Sequence, residues 1–280
     1  MEPSAASLAA VAVLPETYRH LFERAVAVLG ADERVRALWL SGSLARGVAD
    51  AASDLDLIVA VADDELDGFA TTWEDWLAAI TPTVLAKPLP FAPGSFYAVT
   101  AERDRLDVVV EPADATGGSL FPTRTVVFDR DGLDAQVPAA VPGPGPSAAT
   151  IAGLVEEQLR QAGMFDVCVT RGDRLLGVEA IYHARNLLYL LFVEANAPLP
   201  AMGVKRWSDK LTEEQRAVLE ALPSGGRDMA ELTRAHDDVV RTFIEQARPI
   251  CARLGVDWPE ALEAVDVAHL RRHGLPAFGP

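Results

Sequence analysis

Cysteine is scarce in this chain of 280 residues, where only Cys168 and Cys251 occur. Two cysteines are too few for a disulfide framework or a thiolate metal site, so we expect both to be buried in the core. The sequence also lacks an apolar run of the ~18 residues that cross a bilayer, and residues 1–10 lack the basic flank of a signal peptide. These absences argue against a membrane partner and predict a cytoplasmic protein.

Positive charge is also in short supply. Against 41 Asp and Glu the chain has 25 Lys and Arg, which gives a net charge of −16. A protein that coats a nucleic-acid backbone needs a cation at each phosphate contact, so this charge excludes DNA as a partner and argues against RNA. Half of the residues are hydrophobic, and a disordered chain would have far fewer. The composition predicts a globular protein, and it predicts no oligomeric state.

A Pro/Gly-rich segment at 137–147 divides the chain. This segment cannot continue a helix or a central strand. We therefore expect residues 134–149 to connect a first domain, 1–133, to a second domain, 150–280. The first domain carries 21 of the acidic and 10 of the basic residues, and so most of the excess negative charge.

Apolar periodicity differs between these two domains. In the first, helical stripes at 14–29 and 66–80 alternate with short apolar runs typical of strands, at 35–40, 55–61, 95–100, 105–110 and 123–128. In the second, the spacing is helical throughout, at 151–170, 178–194, 211–222, 229–254 and 258–273. The predicted fold class is α+β, in which a small mixed sheet flanked by helices is followed by a helical bundle.

Carboxylates interrupt two of the predicted strands. Asp54 and Asp56 are two residues apart, so both side chains leave the sheet on one face, and Asp107 lies in the otherwise apolar run 105–110. Charges in apolar strands are costly unless they are paired or coordinated. If the two strands are neighbours, the three carboxylates can share one or two hard cations, for which Mg²⁺ is the natural choice.

The turn Ser41-Gly42-Ser43 follows the first predicted strand. A glycine there lets the backbone approach a ligand, and the turn into a helix directs amide groups at a phosphate. The Ser-Asp-Leu-Asp sequence alone is typical of a solvated strand end, but its combination with this turn and with Asp107 favours a two-metal phosphoryl or nucleotidyl transfer site. A phosphate loop of the Walker type is excluded, because Val48 and Ala49 stand where it needs Lys and Ser or Thr.

This combination resembles the signature of the DNA-polymerase-β-type nucleotidyltransferase superfamily. The helical second half and the length are most similar to the aminoglycoside and lincosamide adenylyltransferases. The resemblance implies that Gly42 and Ser43 hold a nucleoside triphosphate such as ATP. It further implies that Asp54 and Asp56 bridge two Mg²⁺ ions to the phosphates and that Asp107 completes the catalytic metal site.

Basic residues in two places are candidates for further phosphate contacts. Arg46 follows the turn and either reaches a phosphate or pairs with Asp50 on the surface. Lys205 and Lys210 lie in a loop-like stretch, 203–210. In the enzymes that this chain resembles, a basic residue of the helical domain meets the triphosphate, and the alternative for this stretch is a solvated loop.

Two glutamates are candidates for the general base that would deprotonate the acceptor hydroxyl. Glu111 is on the same strand face as Asp107, and Glu179 lies near the start of the predicted helix 178–194. For Glu179 the alternative is a favourable acidic residue at a helix N-terminus. His183 is interpreted as a structural residue.

The resulting hypothesis is a Mg-dependent nucleotidyltransferase that moves AMP from ATP to a hydroxyl of a small molecule, such as an aminoglycoside or a lincosamide, and releases pyrophosphate. An acidic cleft would attract a cationic acceptor. Two alternatives remain: a protein or RNA acceptor, and a non-catalytic binding module of the same fold. Retention of Asp54, Asp56 and Asp107 argues against the second of these.

Overall fold

The computed structural model describes residues 1–90, 92–200 and 205–278. The chain divides into two compact units, Met1–Val141 and Pro142–Pro280, and the division falls within the Pro/Gly-rich segment. In the described residues, no helix is both long enough and apolar enough to cross a membrane.

The described part of the first unit forms a mixed sheet of six strands in the order β3-β4-β5-β2-β1-β6. The strands are β1 (Val35–Leu40), β2 (Leu55–Val61), β3 (Leu85–Pro88), β4 (Phe96–Val99), β5 (Arg105–Pro112) and β6 (Thr125–Asp129). Strands β2 and β5 are parallel, and the other neighbours pair antiparallel. The helices of this unit are α1 (Ala5–Val11), α2 (Glu16–Ala31), α3 (Gly42–Ala45), α4 (Leu66–Thr71) and α5 (Trp73–Ile80).

The two faces of this sheet are covered to different extents. On one face, alternate apolar residues of the strands pack against α2, α4 and α5 to form the larger core, which includes Phe22, Phe69 and Phe96. On the other face, a smaller apolar cluster around Trp39 and Ile58 is covered by the segment that follows β5. Beyond this cluster, towards β4 and β3, the second face carries exposed residues.

The predicted helix 66–80 is two helices, α4 and α5, which are interrupted at Thr72. The Thr72 hydroxyl donates to the carbonyls of Gly68 and Phe69, at 3.1 and 3.2 Å, and so competes with the helical pattern. Strand β3 was not predicted, because it is an edge strand whose side chains are largely exposed and it shows no apolar run. Strands β1 and β2 are confirmed at the predicted residues.

The second unit is helical. Its helices are α6 (Ala148–Gly163), α7 (Phe165–Arg171), α8 (Arg174–Ala195), α9 (Glu213–Ala221), α10 (Met229–Leu254) and α11 (Glu260–Arg272). Their apolar faces share a core to which α6, α8 and α10 contribute most of the buried side chains. The predicted helix 151–170 ends at Gly163 and restarts as α7, since Met164 leaves the helical conformation. The predicted fold class, a mixed sheet with helices followed by a helical part, is confirmed.

Both cysteines are buried and free of disulfides, as predicted. Burial raises the pKa of the Cys168 and Cys251 thiols. A raised pKa disfavours the thiolate, which is the reactive form. Cys251 belongs to the helical core, and Cys168 is a buried residue of α7.

Candidate active site

Three aspartates converge on the second, less covered face of the sheet, at its two central strands β2 and β5. Strands β2 and β5 are in register with Asp56 opposite Asp107, so the two side chains leave the sheet on the same side. Asp54 immediately precedes β2 and shares the orientation of Asp56. One carboxylate oxygen from each residue lies within 4.8 Å of the others, and all three side chains are partly accessible. The structure thus brings the three predicted metal ligands together.

The donor set of this aspartate triad suits a hard divalent cation. Carboxylate oxygens are the ligands that Mg²⁺ and Ca²⁺ prefer, and Mg²⁺ keeps several positions for water or substrate phosphates. Three negative charges at this separation also repel one another, and a bound cation offsets that repulsion. The residues present therefore fit a magnesium site that remains open on the accessible side.

Gly42 is fixed by contact with the triad. Its backbone has a φ of +58°, which side chains other than glycine rarely adopt. A Cβ at this position would overlap the carboxylate of Asp56 and would lie 2.7 Å from its Cγ. The neighbouring Ser41 amide donates to the Asp56 carbonyl at 2.9 Å. The turn after β1 is thus held against Asp56 by two contacts, one at Gly42 and one at the Ser41 amide.

The turn continues into α3, which is a single helical turn rather than the longer helix expected for a phosphate site. The amides of Gly42, Ser43 and Leu44 begin this turn, and the first amides of a helix have no acceptor within it. Ser43 is partly accessible. Gly42 and Ser43 therefore lie where a ligand of the triad would meet backbone and hydroxyl donors, although the contribution of a long helix dipole is missing.

Arg105 supports the triad and was not predicted. Its Nε lies 3.6 Å from Asp54 Oδ2, and its Nη2 donates to the Ala52 carbonyl at 2.8 Å. The loop that it holds is closed by Asp50, whose carboxylate accepts from the Ala52 amide at 2.9 Å. A sequence signal existed, because Arg105 precedes Asp107 at the same two-residue spacing that separates Asp54 from Asp56 and so shares its face.

The remaining phosphate candidate of the first unit is Arg46. It caps the C-terminal end of α3, and among the described residues its buried Nε atom has no hydrogen-bond partner. The carboxylate of Asp50, the alternative partner, is engaged in closing the 50–53 turn. For Arg46, the phosphate contact and the pair with Asp50 both stay predictions.

Glu111 does not reach the triad. It lies opposite Ala60 on β2, four residues along β5 from Asp107, which is about 13 Å at the usual rise of a strand. Its Oε1 accepts from Arg124 Nη1 at 2.8 Å and its Oε2 from the Ser119 hydroxyl at 2.7 Å. This buried ion pair argues against Glu111 as the general base, because the carboxylate is remote and already engaged.

The candidates of the second unit are found in different settings. Glu179 is exposed and lies within α8, which begins at Arg174 with Asp173 as its cap, so the expected helix N-terminus at Glu179 is wrong. His183 Nε2 lies 3.8 Å from Glu157 Oε1, in keeping with a structural residue. Lys205 is exposed and Lys210 ends a short 3₁₀ turn. Residues 203 and 204 of the predicted stretch lie outside the described residues, and the roles of both lysines stay predictions.

A row of aligned side chains extends the triad across the sheet and was not predicted. Asp107 is opposite Tyr97 on β4, and Tyr97 is opposite Lys87 on β3. Directly opposite residues project to the same face. The Tyr97 side chain is 40% exposed, which is unusual for an aromatic residue within a sheet. Tyr97 lies in the predicted strand run 95–100, whereas β3 lacks an apolar run, so no pattern in the sequence aligns Lys87 with Tyr97 and the triad.

No family model and no curated protein matches the chain. Among solved structures, an aminoglycoside 6-adenyltransferase from Bacillus subtilis is similar over 90% of this chain and 95% of its own, at 14% identity and a TM-score of 0.40. The E. coli MS115-1 protein CdnC, solved with ATP, is similar over 99% of both chains, at 14% identity and a TM-score of 0.28. Both similarities cover nearly the whole chain and both are distant.

Proposed function

We propose that this protein is a Mg-dependent nucleotidyltransferase that moves AMP from ATP to a hydroxyl of a small acceptor and releases pyrophosphate. One observation carries the proposal: Asp54, Asp56 and Asp107 converge on an accessible face directly beside the Gly42 turn. This arrangement places hard oxygen ligands for a metal ion and hydrogen-bond donors for a phosphate within one site. Such a combination suits the in-line displacement of pyrophosphate by an alcohol.

Residues of the first unit have separate roles in this proposed reaction. Asp54, Asp56 and Asp107 would hold Mg²⁺, which when bound offsets the negative charge that develops on the phosphoryl oxygens. The turn at Gly42 and Ser43 offers amides and a hydroxyl to the triphosphate. Arg105 positions Asp54, and Gly42 lets the turn approach Asp56 without a steric clash. The supports of the triad are thus within the first unit.

The order of the strands also supports one side of the site for the approach of the acceptor. Strand β1, which ends at the Gly42 turn, flanks β2 on one side, and β5 and β4 flank it on the other. Because the attacking and leaving oxygens are roughly in line, pyrophosphate at the turn requires the acceptor on the opposite side. That side carries Asp107 and then the exposed ring of Tyr97. We assign Tyr97 to the acceptor side of the site.

A cationic acceptor, such as an aminoglycoside, is our preferred class, with lincosamides as the second. The net charge of −16 favours encounter with cations, and the half of the chain with the triad holds the larger share of that excess. A ring with several hydroxyls can also pack on the face of Tyr97 while one hydroxyl points at the triad. The alternatives are a protein or RNA acceptor and a non-catalytic ATP-binding module.

Neutralising one aspartate tests the reaction itself. We expect Asp54→Asn or Asp56→Asn to abolish pyrophosphate release from ATP and Mg²⁺ while the circular dichroism spectrum and the melting temperature stay close to those of the wild type. Asp67→Asn, which removes an exposed carboxylate from α4, is the matched control and should retain full activity. Full turnover in either triad variant would contradict the metal assignment.

The acceptor is tested with labelled ATP, Mg²⁺ and a panel of aminoglycosides, lincosamides, RNAs and proteins. Label on an aminoglycoside or a lincosamide supports the proposed acceptor class. Label confined to a macromolecule would exclude it and favour the protein or RNA acceptor. Binding of ATP without label transfer to any member of the panel, and without pyrophosphate release, would favour the non-catalytic module.

A further inference from the structure

Two histidines and an aspartate meet at one end of the second unit. His269 lies in the last turn of α11, and His273, four residues later, caps that helix. Residues at this spacing share a helix face, and the ring centroids are 4.6 Å apart. Both Nε2 atoms are directed at Asp166 in the first turn of α7, at 3.3 and 4.0 Å from its Oδ2. One donor atom from each residue lies within 4.8 Å of the others.

The spacing of these donor atoms matches a tetrahedral metal site. With metal–ligand bonds of about 2.0–2.1 Å, neighbouring donors in a tetrahedral site lie roughly 3.3 Å apart. The distance from His269 Nε2 to Asp166 Oδ2, 3.3 Å, has this value, and the distance from His273 Nε2, 4.0 Å, is slightly longer. About a third of the His269 side chain and 44% of that of His273 are exposed, so an ion has direct access.

An ordinary histidine–carboxylate pair in the same unit looks different. Among the described residues His183 has one ion-pair partner, Glu157 at 3.8 Å, and that carboxylate also accepts from Arg160 and Gln161. At Asp166, by contrast, two imidazoles converge on one carboxylate. A carboxylate that lies beside two imidazole nitrogens offers one ion three ligand atoms.

We propose that Asp166, His269 and His273 form a binding site for a transition-metal ion, with Zn²⁺ as the representative. Two imidazole nitrogens and one carboxylate favour Zn²⁺, Ni²⁺ or Cu²⁺ over Mg²⁺, so the site differs in selectivity from the aspartate triad. Three protein ligands leave the fourth position to water or another small ligand. The ion joins α7 to the end of α11 and stabilises the second unit. This proposal is independent of the proposed nucleotidyl transfer.

The test is a Zn²⁺ titration of the full chain by isothermal calorimetry, after removal of metals and with Mg²⁺ in large excess. We expect one Zn²⁺ per chain, a higher melting temperature in the presence of Zn²⁺, and weaker binding as the pH is lowered, because ligating imidazoles must be neutral. His269→Gln, His273→Gln and Asp166→Asn should each weaken binding at least about tenfold. His183→Gln is the matched control and should bind as the wild type does.

Three results would overturn the site: no Zn²⁺ binding by the wild type, equal binding by the wild type and His269→Gln, or binding that is lost in Asp107→Asn and kept in His269→Gln. His273→Gln replaces a half-exposed ligand at the cap of α11 and not within the helix, so it provides a folded variant if His269→Gln does not fold. Failure of pyrophosphate release leaves this outcome unaffected, because Zn²⁺ binding is measured directly.

Discussion

Asp107 and Glu111 lie on the same face of β5, four residues apart, and the structure gives them opposite surroundings. Glu111 is buried and paired with Arg124, whose side chain is only 1% exposed and stacks over Trp39. Asp107 is partly accessible and lies close to two further carboxylates, those of Asp54 and Asp56. A carboxylate in an apolar strand needs a cation in either case. For Glu111 the fold supplies it as Arg124, whereas at the triad Arg105 lies beside Asp54 and the further cation that we propose is Mg²⁺.

The largest effect that tests this comparison is expected from Asp107→Asn. The amide keeps the shape of the side chain but removes a hard anionic ligand, so the rate of pyrophosphate release should fall about 10³-fold, equivalent to about 4 kcal/mol. The free energy of unfolding, measured in urea, should change by about 1 kcal/mol or less, because the side chain is accessible. A variant that loses stability but keeps its rate would give Asp107 the structural role assigned to Glu111.

Glu111→Gln should give the converse result. Removing one partner of a buried ion pair leaves Arg124 uncompensated, and such changes cost about 3 kcal/mol of stability. We expect this loss in urea unfolding, while the rate of pyrophosphate release by the folded fraction stays within about threefold of the wild type. A large loss of rate at full stability would restore Glu111 as a candidate for the general base.

The contrast between Asp107 and Glu111 also shows where sequence reasoning ends. Both residues read as a charge in an apolar strand beside β2, and the residues that surround each of them decide between them: Asp54 and Asp56 for Asp107, and Arg124 for Glu111. The triad could be predicted, since the two-residue spacing and the alternation of strands carry the necessary information. The pairing of Glu111 with Arg124 depends on where the chain returns after β5, and no local pattern encodes that return.

The same limit applies to the fold. Strands with strong apolar runs, β1 and β2, are predicted to the residue, whereas β3 is an exposed edge strand with little side-chain signal. The interruptions at Thr72 and Met164 leave the apolar periodicity intact, so the sequence predicts single helices there. Patterns of burial are therefore predictable, and breaks set by individual backbone conformations are not.

A comparison of Gly42 with Gly47 separates the effect of the contact between the turn and the triad from the effect of backbone strain. Both have positive φ, at +58° and +68°, but a Cβ at Gly47 meets open space, whereas one at Gly42 overlaps Asp56. Both alanine variants should lose about 1 kcal/mol of stability because of the backbone strain. Only Gly42→Ala displaces Asp56, and we expect it to lower kcat/KM for ATP about 100-fold. Equal kinetic effects of Gly42→Ala and Gly47→Ala would mean that the close approach to Asp56 has no catalytic importance.

The smallest effect is expected at Tyr97, which lies opposite Asp107 on β4 and is likewise accessible. If the acceptor approaches from β4, the ring contacts the acceptor and not the triphosphate. Tyr97→Ala should then raise KM for an aminoglycoside that takes up label about fivefold, equivalent to about 1 kcal/mol, because an aromatic contact is lost. KM for ATP should stay unchanged, and Tyr97→Phe should behave as the wild type if packing on the ring face is the relevant contact.

Tyr182→Ala, which removes an exposed tyrosine from α8, is the matched control. An increase in KM for ATP alone would place the triphosphate on the β4 side and reverse the assigned direction of attack.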